Sequence, residues 1–162
     1  MSNTIKVGIA DLNIAKNGDI LVTYALGSCV GICIFDSVRK IAGLSHIMLP
    51  ASAGFSPTGN QIYKFADLAI PALIEMMEAN GAKKICMKAK IAGGAKMFAN
   101  VNNSALANIG ERNVVAVKET LQRLHIPIVV EDTGKDYGRT QYFSSVDGSM
   151  TIKSVNRGEK VY

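Results

Sequence analysis

The sequence predicts a layered α+β fold built mostly from antiparallel strands, with two long helices. Short alternating apolar segments fill the first half of the chain, and two longer segments repeat apolar residues every three or four positions. Strand and helix segments do not alternate regularly, which disfavours a doubly wound parallel sheet. With 162 residues, of which 48% are hydrophobic, the chain is long enough to form one domain over residues 1–162 with its own core.

The first half predicts a single antiparallel sheet. Residues 5–10 alternate weakly and residues 20–25 alternate clearly, with Asn17-Gly18 between them. This dipeptide is typical of a tight turn, because both residues tolerate a positive φ. An apolar hairpin follows, with its strands in 26–36 and 41–50.

The rest of the chain predicts two helices and further strands, to a total of about eight strands. The segment 50–59 has the composition of a loop, and Asn60 can cap an amphipathic helix that ends at Asn80-Gly81. The remaining predicted elements are a strand over 85–91, a helix over 111–125, a strand over 128–131 and a hairpin of 139–144 with 151–155 around Asp147-Gly148.

Composition excludes several classes of function. No signal-peptide pattern begins the chain and no run approaches about 18 apolar residues, so we expect a cytoplasmic protein without membrane insertion. The three cysteines have no framework spacing, which agrees with free thiols in a reducing compartment. The two histidines form no zinc-ligand pattern with them, so we expect no metal and no other cofactor.

The net charge of +5 is spread along the chain and is not interleaved with aromatic residues, so we expect no nucleic-acid partner. Nucleic-acid binding is therefore the weakest alternative function. Strong, salt-dependent retention on DNA would revive it.

Cys29 and His46 stand near the two open ends of the predicted hairpin. If Phe35 pairs with Lys40 across a four-residue loop, Cys29 lies directly opposite His46, with Cβ atoms roughly 5 Å apart. A slip of one residue would place the two side chains on opposite faces. An imidazole that takes the proton of a thiol makes a nucleophile for acyl chemistry and can then protonate a leaving amine. A cysteine and a histidine in apolar strands are also common core residues, so spacing alone leaves both interpretations open.

Three further residues could complete such a site. Thr23 could accept a hydrogen bond from the second ring nitrogen of His46, because we place it one strand away from Cys29 across the Gly27-Ser28 turn. Gly27 would let the chain turn sharply, and the backbone N–H groups near Ser28 and Cys29 could stabilise an oxyanion.

Other chemistry-bearing residues favour structural roles. On a strand, the Cys29–Cys33 spacing separates the two sulfurs by roughly 13 Å, so we expect Cys33 to be a core residue, and Cys86 likewise. His125 closes a helix, where a cation suits the dipole. Gly93-Gly94 lacks the spacing of a phosphate loop and favours close backbone packing beside the hairpin.

Four motifs occur together in a familiar order: Leu26-Gly-Ser-Cys-Val30, His46-Ile-Met-Leu-Pro50, Lys90-Ile-Ala-Gly-Gly-Ala95 with Met97-Phe98, and Ile109-Gly-Glu-Arg-Asn113. With these motifs in register, the chain resembles the CheD family of chemotaxis proteins, the chemoreceptor glutamine deamidases. The resemblance extends over about residues 5–155. Each motif is weak alone, and the four in register are specific.

The resemblance implies a three-layer α/β/β sandwich similar to the catalytic domain of cytotoxic necrotizing factor toxins. It also implies a cysteine amidohydrolase that converts glutamine side chains on chemoreceptors into glutamates, with release of ammonia, in chemotaxis adaptation. By position in the motifs, Cys29 is the nucleophile, His46 the general base and Thr23 the residue that orients the histidine. The implied partners are the cytoplasmic domain of chemoreceptors and the phosphatase CheC.

Two alternatives remain open within this resemblance. The protein could be a non-enzymatic regulator that binds and stimulates CheC, with an idle thiol. It could also hydrolyse a glutamate methyl ester on the same receptors, since an amide and an ester would use nearly the same mechanism.

Overall fold

The computed structural model describes residues 2–97 and 108–162, which form ten strands, two long helices and short 3-10 turns. The strands are β1 (Thr4–Lys6), β2 (Asp11–Ala15), β3 (Ile20–Leu26), β4 (Val30–Asp36), β5 (Ile41–Ile47), β6 (Met87–Gly93), β7 (Ile128–Thr133), β8 (Arg139–Ser144), β9 (Met150–Ser154) and β10 (Gly158–Val161). The helices are α1 (Ala66–Ala79) and α2 (Ile109–Arg123). Within the described residues, no helix has the length and apolar character needed to span a bilayer.

The strands form two five-stranded sheets. The inner sheet has the order β2-β5-β4-β6-β7 and the outer sheet the order β1-β3-β8-β9-β10. All pairs are antiparallel except β1 with β3 and β6 with β7. Both helices pack on one face of the inner sheet, and its other face packs on the outer sheet. The predicted α+β class and the α/β/β layering are confirmed.

Strand β4 shows why the inner sheet lies in the middle. Its even-numbered residues from Val30 to Ile34 join the core beneath the helices, and its odd-numbered residues Cys33 and Phe35 join the core between the sheets. Every residue of the strand is buried. A strand covered on both faces needs apolar residues at nearly every position, which explains the unbroken hydrophobic run of the hairpin.

The prediction that the first-half segments form a single sheet is wrong. Asn17 and Gly18 do turn with positive φ values of 57° and 86°, but the chain passes there from the inner sheet to the outer sheet. Strand β2 pairs with β5, whereas β3 pairs with β1 and β8. Alternation in sequence indicates that one face of a strand is buried, but it does not indicate which strands pair with it. It could therefore not assign the segments to two different sheets.

The hairpin β4–β5 is present, but its predicted register is wrong by two. Phe35 pairs with Ala42, not with Lys40. The Asp36 carboxylate accepts hydrogen bonds of 3.0 Å from both the Val38 and Arg39 N–H groups, so the turn begins at Asp36 and ends at Lys40, whose φ is 56°. Such an Asx turn moves the loop one residue along the chain. A shift of two in the pairing preserves which side chains share a face.

Helix α1 begins at Ala66, later than the predicted cap at Asn60. Residues Gly59–Lys64 form a 3-10 turn, and Phe65 is extended because it forms a bridge with Leu49. The predicted end at Asn80-Gly81 is confirmed, with Gly81 at a φ of 104°.

Helix α2 is two residues displaced from the prediction, and β6 likewise begins at Met87 after a 3-10 turn. The hairpin of β8 and β9 is confirmed. The ten strands exceed the eight predicted because β2 and β10 were not predicted.

Candidate active site

Cys29 and His46 lie on the same face of the inner sheet, towards the outer sheet. His46 pairs with Gly31, and continuing this register places Cys29 diagonally across from His46. The prediction that they stand directly opposite is therefore wrong, although their shared face is confirmed. Within a ladder, diagonal neighbours have Cα atoms about 7–8 Å apart. Cys29 lies just before the ladder, and in the described part of the chain His46 Nε2 makes no hydrogen bond to its sulfur. Gly31 carries no side chain between them.

The hydrogen bonds of Thr23 determine the tautomer of His46. The Thr23 hydroxyl donates to the Val7 carbonyl at 2.7 Å, and it lies 2.6 Å from His46 Nδ1. A hydroxyl has one hydrogen, so Thr23 Oγ1 must accept the second hydrogen bond from Nδ1–H. The remaining ring nitrogen, Nε2, then holds the lone pair. In the described part of the chain, this buried Nε2 has no hydrogen-bond partner.

Thr23 reaches His46 from the opposite layer. It lies on β3 of the outer sheet, not beside Cys29 in the same sheet as the sequence suggested. Next to Thr23, the pairing of β3 with β8 shifts by one residue between Thr23 and Leu26, and Ala25 within this shift has a φ of 58°. Such a bulge bends the strand and changes the direction of the loop that follows it.

Burial keeps the Cys29 thiol and the His46 imidazole neutral near pH 7. Desolvation lowers the pKa of His46 to about 4, because the imidazolium would lose its hydration between the sheets. Desolvation also raises the pKa of the Cys29 thiol, while its own backbone N–H acts to lower it. The resting pair is therefore a thiol and a neutral imidazole, which is the protonation state that general-base activation requires.

Gly93-Gly94 packs against the backbone of Cys29, as predicted. The Gly94 N–H donates to the Cys29 carbonyl at 2.8 Å, and a Cβ on Gly93 would overlap that carbonyl oxygen. Gly93 also has a φ of 113°, which side chains rarely adopt. Only glycine therefore lets β6 hold the segment 27–29, which we call the nucleophile loop after the role predicted for Cys29.

The chain bends at Gly27, but without a positive φ there. The positive φ, of 58°, belongs to Ala25, whose carbonyl accepts from the Gly27 N–H at 3.0 Å. A Cβ on Gly27 would lie 3.2 Å from Met97 Cγ, so the glycine allows close packing. The Ser28 carbonyl accepts a 2.9 Å hydrogen bond from Asn113 Nδ2.

The other sequence candidates lie apart from this pair. Cys33 is fully buried between the sheets, as predicted. The expectation that Cys86 is a core residue is wrong: it is half-buried in a 3-10 turn, where the Arg39 guanidinium lies 3.6 Å from its sulfur. His125 is exposed just after α2, with a φ of 61°.

Comparison with known proteins matches residues 48–154 to the family model described as CheD chemotactic sensory transduction. Two similar proteins, from Clostridium botulinum (strain Hall) and Clostridium novyi (strain NT), are each named "Probable chemoreceptor glutamine deamidase CheD". The first is 53% identical over 156 residues, covering 96% of both chains, and the second is 53% identical over 154 residues, covering 95% of this chain and 94% of its own. The chain belongs to the CheD family.

The family model begins at residue 48, after Thr23, Cys29 and His46, whereas the alignments with the two CheD proteins cover nearly the whole chain. A solved structure, the Bacillus licheniformis hypothetical protein YfiH, matches with a TM-score of 0.45 and 13% identity, covering 78% of this chain and 51% of that one. The fold assignment rests on the strand order and layers described above.

Three contacts around Cys29 and His46 were missed from the sequence. The Val7 carbonyl carries no sequence signal, because every residue has one. Gln141 is fully buried between the sheets, donates to the Gly31 carbonyl at 3.1 Å and pairs with Thr23 on the neighbouring strand. Asn113 is fully buried on the sheet-facing side of α2. A polar residue within an apolar helical stripe, four positions before Val117, was the available signal.

Proposed function

We propose that this chain deamidates glutamine side chains of chemoreceptors to glutamate, with Cys29 as nucleophile and His46 as general base. Membership of the CheD family and the names of the two clostridial relatives support the reaction and the substrate. The observation that carries the assignment of roles is the hydrogen-bond pair at Thr23, which directs the Nδ1–H of His46 to Thr23 and leaves Nε2 as the basic atom.

In the first half-reaction, His46 Nε2 takes the thiol proton as the Cys29 sulfur attacks the carboxamide carbon. The carbonyl oxygen becomes an oxyanion, which backbone N–H groups of the nucleophile loop stabilise. The tetrahedral intermediate then collapses, the C–N bond breaks and the imidazolium gives its proton to the departing ammonia. A thioester to Cys29 remains.

In the second half-reaction, water attacks the thioester carbon while His46 Nε2 removes its proton. The C–S bond breaks, the sulfur regains a proton, and a glutamate side chain leaves. Thr23 stabilises the imidazolium formed in both steps, because it accepts from Nδ1–H whether or not Nε2 is protonated.

The test is incubation of the protein with a purified receptor cytoplasmic domain, with ammonia and the amide-to-carboxylate mass increase measured together. Cys29→Ala should abolish both signals, and His46→Ala should be almost as damaging. Thr23→Ala should be milder, because it removes an orienting hydrogen bond and leaves the base. Cys86→Ala is the matched control, since this cysteine is also half-buried but lies in a 3-10 turn away from the hairpin's open end. Deamidation that survives in Cys29→Ala contradicts the proposal.

The same assay distinguishes an amide from an ester substrate. A receptor carrying glutamate methyl esters should release methanol more slowly than the unmodified receptor releases ammonia. The reverse order would identify a methyl-esterase.

We also propose, from the family resemblance, that the chain acts in the cytoplasm and binds CheC. Stimulation of CheC phosphatase activity should survive in Cys29→Ala, because binding does not need the thiol. If Cys29→Ala loses stimulation while remaining folded, the two activities are not independent.

A further inference from the structure

A single side chain on α2 connects the two strands that carry Cys29 and His46. Asn113 Nδ2 donates to the Ser28 carbonyl at 2.9 Å and to the Met48 carbonyl at 3.2 Å. Ser28 directly precedes Cys29, and Met48 follows His46 by two residues. These carbonyls lie beyond the last ladder pair, Val30 with Ile47, so Asn113 closes the hairpin where its own pairing has ended.

All three carbonyls of the nucleophile loop are held in this way. The Gly27 carbonyl accepts from Ala95 N–H and the Cys29 carbonyl from Gly94 N–H, both at 2.8 Å, while Ser28 between them is held by Asn113. Two of the three anchors are therefore backbone groups of the segment after β6. The central anchor is a side chain that a single substitution can remove.

The anchor on Ser28 determines the direction of the next N–H. In a planar trans peptide the C=O and the following N–H point in opposite directions. With the Ser28 carbonyl directed at Asn113, the Cys29 N–H points away from α2. No hydrogen bond to another residue found within residues 2–97 and 108–162 uses this N–H. It hydrogen-bonds the sulfur of its own residue, beside which an oxyanion formed by attack would also lie.

We propose that Asn113 is a positioning residue that aims the Cys29 N–H at the oxyanion and holds the nucleophile loop in register with the strand of His46. This inference rests on the function proposed above. The space that Asn113 fills does not by itself require an amide side chain. Asn113 is fully buried, and its Oδ1 has no partner in the described part of the chain. An apolar side chain would fill the space without burying an unpaired oxygen, so the two N–H groups are the property that only an amide supplies.

The test compares acyl transfer with simple alkylation in Asn113→Leu, which keeps a branched shape without a donor, and in Asn113→Ala. Alkylation of Cys29 by iodoacetamide joins the sulfur to carbon and expels iodide, and no oxyanion forms. We expect kcat for deamidation to fall by about tenfold or more, because a misdirected oxyanion donor loses much of its effect. KM and the alkylation rate should each stay within about threefold, since neither depends on that donor.

Thr120→Val is the matched control. Thr120 is a buried polar residue of the same helix, but its hydroxyl donates only to Ala116 of that helix, at 2.8 Å. This variant should lower stability without changing the ratio of deamidation to alkylation. An unchanged kcat in folded Asn113→Leu overturns the proposal. A fall in alkylation proportional to the fall in kcat also overturns it, because that result would show displacement of the sulfur and not of the N–H.

A measurement on the unmodified protein keeps the inference independent of both variants and of activity. An NMR scalar coupling across the hydrogen bond from Asn113 Nδ2 to the Ser28 carbonyl carbon is expected, and its absence overturns the proposal. If the wild-type protein alkylates and shows this coupling but deamidates no competent receptor, the function proposed above fails while the contact made by Asn113 stands.

Discussion

Acidification should destabilise the protein through His46. The pKa of this imidazole falls from 6.5 in an unfolded chain to about 4 in the folded protein, because burial between the sheets penalises the cation. The unfolded state therefore binds more protons than the native state between these two values. The contribution of His46 to stability is complete above pH 6.5 and decreases as the pH falls towards 4. The full difference corresponds to about 3 kcal/mol, and roughly 2 kcal/mol of it is lost by pH 5.

The measurement is urea unfolding at pH 7, 6 and 5 for the wild type and for His46→Asn. Asparagine is neutral throughout this range, and its Nδ2 can still donate to Thr23, as His46 Nδ1 does. Wild-type stability relative to the variant should fall by roughly 2 kcal/mol between pH 7 and pH 5. The difference between the two proteins matters, because other groups titrate as well. Burial acts to raise the pKa of Asp36, but hydrogen bonds from Lys83, Arg39 and Val38 lower it overall, so its contribution is lost at lower pH in both proteins.

An NMR titration of the His46 ring provides an independent check. Its midpoint should lie near pH 4. A midpoint near 6.5, or a stability difference that does not change between pH 7 and pH 5, would show that the imidazole is hydrated. It would also remove the neutral base from the proposed mechanism.

Three further outcomes are expected. Gly93→Ala should greatly reduce deamidation, because the new Cβ overlaps the Cys29 carbonyl. Gly54→Ala, at a φ of 86° with open space, should lower stability by only about 1–2 kcal/mol and leave deamidation unchanged. Gly31→Ala should cost about 1–3 kcal/mol, measured by urea unfolding, and the cost should shrink when Gln141→Ala removes the atom it meets. In steady-state assays from pH 4 to 9, kcat/KM should stay constant well below pH 6.5 and fall only near the His46 pKa of about 4. A fall in kcat/KM near pH 6.5 would contradict a resting pair of neutral thiol and neutral imidazole.

The hairpin shows which part of the site a sequence can predict. The pairing of Cys29 with His46 was predicted with the wrong partner but the right face, because Asp36 moved the turn and the pairing changed by two. Strand periodicity is two, so an error of this size leaves side chains on the same side of the sheet. The composition of the loop did not reveal the Asx turn that determines the register.

Thr23 shows which part depends on tertiary structure. Local spacing and the family resemblance both singled out the residue, but the spacing placed it in the wrong sheet. Its contact with His46 crosses the interface between two layers, and which strand lies opposite another layer is decided by packing of the whole domain. Asn113 could be predicted only in part. A polar residue in an apolar helical stripe indicates a buried hydrogen bond, but it does not indicate which residues accept it.

The division of the site between two sheets explains how one histidine is both neutral and directed. Cys29 and His46 belong to the inner layer, while Thr23 and the Val7 carbonyl belong to the outer layer. Packing of the layers removes water from the imidazole, which lowers its pKa, and the same packing brings the hydroxyl to Nδ1. Close-packed interiors transmit small displacements. Separating the two layers would therefore hydrate the His46 imidazole and also break the hydrogen bond that fixes its tautomer. The basicity of Nε2 and its direction are therefore two consequences of one interface.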